Sequence, residues 1–126
     1  MENYALVLPE HLNHYGHLHG GELLKWVDEA AYIAARLDYP ACQFVTVAMD
    51  KLSFQERIQP GTILRFSVEC TQVGNTSIQY TVQVSDALAS RGEARIFFST
   101  QVTYVNIGPD GAKQPLPPCG VIAVTP

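Results

Sequence analysis

The sequence predicts an α+β fold, an antiparallel sheet of five to six strands wrapped around one central helix. Three observations carry that prediction. A single long run of good helix formers without Gly or Pro, Glu22 to Leu37, stands in the first third of the chain. Almost everything after it alternates apolar and polar residues with period two, the pattern of half-buried strands. The alternating runs are separated by short turn signals, which join consecutive strands antiparallel.

The elements follow in chain order. Tyr4 to Leu8 reads as an early strand. Gly20-Gly21 opens the helix, Glu22 suits the positive end of its dipole, and Pro40 stops it. At about 100° per residue, Glu22, Lys25, Glu29 and Arg36 share a narrow polar stripe. The rest of the circumference is Leu, Val, Trp, Ile and Ala, which predicts a helix covered on most sides. Next, Val45, Val47 and Met49 form an apolar face against Thr46, Ala48 and Asp50. Leu64, Phe66, Val68 and Cys70 form the second such face, and Ile78, Tyr80, Val82 and Val84 the third. Ala94, Ile96, Phe98, Thr100, Val102 and Tyr104 form the last. Turns are expected at Gln59-Pro60-Gly61, at Val73-Gly74-Asn75 and between Asp86 and Gly92. From Pro109 to Pro126 the chain is rich in Gly and Pro and reads as a surface tail.

Composition narrows the function classes. At 126 residues the chain is expected to be one domain that folds without disulfide staples. Hydrophobic residues make up 47% and charged residues 16%, which excludes a disordered tail and suggests that part of the surface is covered by another subunit. Eight Lys plus Arg against twelve Asp plus Glu give a net charge of −4, the wrong sign for nucleic acid. No apolar run approaches the ~20 residues of a membrane span, and Met1-Glu2-Asn3-Tyr4 lacks the basic start of a secretory signal. Cys42, Cys70 and Cys119 are widely spaced and form no CxxC pair, as expected of free thiols in the cytoplasm.

Few residues stand out chemically. Asp28 lies about 80° from the centre of the polar stripe, beside Leu24, Ala31 and Ala35, where a carboxylate is partly desolvated unless something polar faces it. It could serve a reaction or pair with Lys or Arg at a subunit seam. Gly20 and Gly21 are either a tight turn or a place where a ligand meets the first-turn N–H donors. Asp28 follows Gly21 by two turns on the same flank. His11, His14, His17 and His19 cluster, but Gly16 interrupts them and Glu10 is the one carboxylate nearby, so no metal site is expected. Asn13 is a turn residue or an amide that orients water or a carbonyl. No GxSxG serine, Walker loop or dinucleotide fingerprint is present.

Taken together, Asn13-His14-Tyr15-Gly16-His17-Leu18-His19-Gly20-Gly21 and Leu24-Lys25-Trp26-Val27-Asp28-Glu29 resemble the signature of hotdog-fold acyl-CoA thioesterases, nearest the bacterial acyl-CoA thioester hydrolases related to the brain acyl-CoA hydrolase. The likeness continues through Val45 to Asp50, Phe54, Gln59-Pro60-Gly61, Val73 to Ile78 and the final strand to Val105. The resemblance implies hydrolysis of an acyl-CoA to CoA and a carboxylic acid by general-base attack of water, with CoA as part of the substrate and no separate cofactor. It implies that Asp28 is the base and that Asn13 faces it from the partner subunit. Gly20 and Gly21 would polarise the thioester carbonyl, and Asn75, Thr76 and Ser77 would line the pantetheine. Asn75 departs from the basic residue usual at its position. A homodimer with shared sites, assembled into a tetramer or hexamer, is also implied. The alternatives on the same fold are a non-catalytic acyl-CoA sensor and an acyl-thioester dehydratase or hydratase using His17 or His19.

Overall fold

The computed structural model describes residues 1–89 and 95–118. Gly92, Ala94, Cys119 and the end of the expected tail lie outside the described residues. Strand β1 spans Glu2–Leu6 and helix α1 Gly20–Asp38, followed by β2 (Phe44–Phe54), β3 (Ile63–Val73), β4 (Ser77–Asp86) and β5 (Ile96–Asn106). A short 3-10 turn, Pro9–His11, lies between β1 and α1.

The strands form one five-stranded antiparallel sheet in the order β1-β3-β4-β5-β2. Among the described residues the count settles at five, and the first strand begins two residues earlier than expected. Strand β2 lies beside β5 instead of pairing with β3 across the Gln59-Pro60-Gly61 turn, the arrangement that short turns between consecutive strands predict. Alternation in the three inner strands becomes burial. Leu64, Phe66 and Val68 of β3, Ile78 to Val84 of β4, and Phe98 to Tyr104 of β5 face inward onto α1. Cys70 departs from that pattern and is exposed, at the register shift of β3 against β4 between Cys70 and Gln72.

Helix α1 buries Leu23, Val27, Ala30, Ala31, Ala34 and Ala35 against the sheet. The small alanines let backbone and sheet approach closely. It ends where the Tyr39 N–H bonds the Ala35 carbonyl (2.9 Å), one residue before Pro40. Within the chain the helix is covered on one side and not on most sides: Ile33 and Leu37 remain 44% and 68% exposed. A sheet of five strands curls over one face of a helix, and nothing else in the described chain reaches the other.

The expected face of β2 is corrected. Thr46 pairs with Tyr104 and Met49 with Val102, so both share the inward face, while Val45 pairs with Val105 on the other. The pairing shifts by one residue between Thr46 and Ala48, and again between Asp50 and Ser53. Each extra residue reverses which side chains point inward. At the second shift Lys51 takes the left-handed conformation (φ 52°), and the Asp50 carbonyl accepts from the buried Thr100 hydroxyl (2.6 Å). Phe54 therefore returns to the inner row, its ring 4.6 Å from that of Phe98.

β2 is also an edge. Its outer side has no strand partner among the described residues, and Val47 and Phe54 are 54% and 58% exposed. An unpaired apolar edge of this length is a template for another strand.

The described part of the tail is tied down. Gln114 N–H bonds the Asn106 carbonyl (2.9 Å) and Leu116 N–H the Asn75 carbonyl (2.8 Å).

Candidate functional site

Two groups of residues stand at opposite ends of β2. The first surrounds Asp28. Its Oδ1 accepts hydrogen bonds from the Thr46 hydroxyl (2.9 Å) and the Tyr104 hydroxyl (2.9 Å), and the Tyr104 hydroxyl also lies 2.8 Å from the Asp28 carbonyl. These are the polar groups that face the carboxylate. No ion pair to Asp28 occurs among the described residues, and no contact with them occupies Oδ2. Tyr104 is fully buried, and burial first, then its bond to the Asp28 carboxylate, pushes the phenol well above its ordinary pKa. It stays a proton donor and fixes one carboxylate oxygen, leaving the other free to accept from water.

Neither Thr46 nor Tyr104 was identified from sequence. Alternation placed Thr46 on the solvent face and Tyr104 in the core as a plain apolar body. The signal that could have found Tyr104 is its hydroxyl: a buried phenol needs a polar partner. Thr46 had no such signal, because its side is set by pairing with Tyr104 of β5, far away in sequence.

Asn75, Thr76 and Ser77 lie at the same end of the sheet. Ser77 pairs with Val105, the Thr76 carbonyl accepts from Asn106 N–H (2.9 Å), and Asn75 is exposed. Their backbone closes the β3–β4 turn, and the three make no side-chain hydrogen bond among the described residues.

The second group lies around the helix start. A groove of about 510 Å³ is lined by Asn13, Tyr15, His17, Gly20, Phe54 and Arg57, among others. The first amide held inside the helix is Leu23 N–H on the His19 carbonyl (3.1 Å), and the His19 side chain makes no cap. The earlier first-turn N–H groups are therefore open, at the positive end of the dipole. Gly20 and Gly21 differ. A Cβ on Gly20 would meet nothing within 4 Å, whereas one on Gly21 would press the His19 ring at 3.1 Å. Neither glycine has a positive φ. Among the described residues, packing thus gives no reason for glycine at position 20.

Asn13 shows its turn role directly: Oδ1 accepts from Tyr15 N–H (2.9 Å) and His17 N–H (3.2 Å). Asn13 is also one of the residues that line the groove. The histidines are dispersed in their contacts. His11 accepts from Leu8 N–H (3.0 Å) and meets the Trp26 ring edge at 4.8 Å, His14 packs on Tyr15 at 4.0 Å, and His17 lines the groove.

Asn13 and Gly20 are thus brought together, and Asp28 with the Asn75–Ser77 turn at the other end. Within one chain the two groups do not form a single site. Asp28 does not line the groove. An antiparallel pairing of two β2 edges about a two-fold axis would set the Thr46 end of one strand beside the Phe54 end of the other.

Residues 15–88 match the family model of the thioesterase superfamily. The chain is similar to the structure of a hexameric hotdog-fold thioesterase of Campylobacter jejuni, with 35% identity, TM-score 0.78, and coverage of 91% of this chain and 88% of that one. It is also similar to an acyl-CoA hydrolase from Staphylococcus aureus solved with butyryl coenzyme A and coenzyme A, with 25% identity, TM-score 0.83, and coverage of 93% and 71%. Acyl-coenzyme A thioesterase 11 of Mus musculus is 32% identical over 89% of this chain, and the cytosolic acyl coenzyme A thioester hydrolase of that organism 30% over 89%. The chain spans 19% and 30% of the lengths of these two relatives. No helix of the described residues is long and apolar enough to cross a membrane.

Proposed function

Because the chain belongs to the thioesterase superfamily, we propose that it hydrolyses acyl-CoA thioesters at sites shared between two copies of itself. One copy supplies Gly20, Gly21 and Asn13, and the other supplies Asp28 with Thr46 and Tyr104. The observation that carries the reading is the Asp28 carboxylate, one oxygen fixed by two hydroxyl donors and the other open.

The steps follow from these groups. The thioester oxygen accepts from the open first-turn amides at Gly20 and Gly21, which become stronger partners as negative charge develops on it. A water bound to Asp28 Oδ2 loses its proton to the carboxylate as its oxygen bonds the carbonyl carbon. The Asn13 amide holds that water or the carbonyl in line. Collapse of the tetrahedral intermediate breaks the C–S bond. A thiol with a pKa near ~8.5 leaves readily and takes the proton back from Asp28. CoA enters as part of the substrate, and these steps need no separate cofactor or metal. The pantetheine arm runs along Asn75, Thr76 and Ser77, which lie at the Asp28 end of the sheet.

The partners of this reading are the acyl-CoA and further copies of the chain. A dimer joined along β2 buries the exposed Val47 and Phe54, and further assembly would match the hexameric Campylobacter jejuni relative. We place the reaction in the cytosol, the compartment in the name of the mouse thioester hydrolase. Nucleic acid and membrane have no part in it.

The test is thiol release from acyl-CoAs, from acetyl to palmitoyl. Loss of a general base removes about 10²–10⁴-fold in rate, so Asp28→Asn should raise the barrier by roughly 3–5 kcal/mol. An Asp28→Asn protein as fast as wild type would defeat the mechanism.

A further inference from the structure

Four arginines fall among the described residues, and three have structural tasks. Arg36 donates to the Tyr32 hydroxyl (3.1 Å) and the Pro40 carbonyl (3.3 Å). Arg65 donates to the Ala87 carbonyl (3.2 Å) and lies 3.9 Å from Glu2. Arg95 holds Glu56 at 2.9 Å and lies 3.9 Å from Asp86. Arg57 alone of the four makes no hydrogen bond or ion pair among the described residues, and it stands on the wall of the Gly20 groove.

Its place there is fixed from both sides. Two residues earlier, Gln55 N–H donates to the Phe97 carbonyl of β5 (2.8 Å). One residue later, the buried Ile58 accepts from Leu18 N–H (2.9 Å), which ties this segment to the Asn13 loop. The groove's one acidic lining residue, Glu56, is already engaged by Arg95. The groove is left with an uncompensated guanidinium beside open helix N–H groups, on a partly apolar floor of Leu18, Leu23 and Phe54. A planar fork of donors in that setting suits a carboxylate or a phosphate.

We propose that Arg57 is the anion-binding residue of this groove and holds an oxyanion of the substrate, either a carboxylate at the far end of the acyl group or a phosphate of the CoA. The inference rests on the thioesterase reading and deepens it. It also complements the uncharged Asn75. In a β2-to-β2 dimer, the Arg57 end of one copy lies toward the Asn75–Ser77 end of the other. Arg57 then supplies charge where that turn has none.

The experiment compares wild type, Arg57→Gln and Arg57→Lys on butyryl-CoA, succinyl-CoA and butyryl-pantetheine. Because Arg57 makes no hydrogen bond or ion pair among the described residues, the melting temperature of Arg57→Gln should match wild type. Loss of a charge-assisted pair should raise KM about 10- to 100-fold with kcat within about twofold, and the lysine should restore part of it. A rise confined to succinyl-CoA assigns the acyl carboxylate. A rise with both CoA thioesters and none with butyryl-pantetheine assigns the phosphate. No rise with any substrate, or an equal rise with all three, overturns the proposal. Calorimetric binding of CoA and succinyl-CoA to the same proteins in an Asp28→Asn background separates it from the parent reading. Arg57-dependent binding without any wild-type turnover would sink the hydrolase reading alone, whereas turnover with Arg57-independent binding and KM would sink this one.

Discussion

Replacing Gly20 with alanine should make the protein slightly more stable and much less active. Gly20 is the first residue of α1, its φ is not positive, and an added Cβ meets nothing within 4 Å. The methyl group therefore strains nothing in the chain and restricts the unfolded state, a gain of roughly 0.5 kcal/mol. For a domain of this size that raises Tm by about 2 °C. The same methyl would project into the space over the open amides, where the thioester oxygen is proposed to dock. Displacing a reacting group by about 1 Å costs on the order of 10²-fold, so kcat/KM should fall by about that factor. Differential scanning calorimetry and thiol-release kinetics on one preparation measure both halves. An alanine protein with wild-type kcat/KM would refute the docking of the carbonyl at Gly20. A clear loss of stability would refute the statement that glycine there has no packing role. Gly21→Ala is the internal comparison, because its Cβ would press the His19 ring and should destabilise.

Other expectations follow from the same geometry. Tyr104→Phe removes a buried donor from Asp28 Oδ1 and should cost about 1–3 kcal/mol of stability in urea titration, with activity reduced about tenfold; unchanged kinetics would show that Thr46 alone positions the carboxylate. Asn13→Ala and Asp28→Ala proteins, each nearly inactive, should regain up to about a quarter of total site capacity after subunit exchange, since half of the dimers are mixed and carry one intact site. Persistent inactivity with exchange confirmed by mass spectrometry contradicts the shared site. Burial, then hydrogen bonding to Asp38 and Asp28 respectively, holds the Tyr80 and Tyr104 phenols far above their ordinary value. A pKa raised in the folded state contributes stability below the unfolded value, about pH 10, and loses it as pH rises further. Unfolding midpoints should therefore drop above about pH 10 and drop less in Tyr80→Phe; a flat profile to pH 11 would contradict the assignment.

Much of the fold was legible because it depends on local periodicity. The helix from Gly20 and the inner faces of β3, β4 and β5 needed only residue type and spacing, since 3.6- and 2-residue periods are properties of the backbone. Asp28 was visible for a related reason, as a carboxylate out of place on an otherwise apolar flank. Covering of the helix on most sides was overestimated, because Ile33 and Leu37 read as core and yet remain exposed among the described residues.

The sequence by itself therefore determined the α+β class, the one helix, the antiparallel sense of the sheet and the spacing of Asp28 from Gly20 and Asn13, but not the place of β2 beside β5. Tertiary structure alone decided what stands around those residues. Pairing with Tyr104 of β5 sets Thr46 on the helix side, two one-residue shifts redirect the rest of β2, and the Tyr104 hydroxyl reaches Asp28 across 76 positions of chain. The groove gathers Asn13, Gly20 and Arg57 only because the Leu18–Ile58 bond draws two distant loops together. The physical reason is common to all three. Each is fixed by a partner far away in sequence, a strand register or a long-range hydrogen bond, and no local period records such a partner.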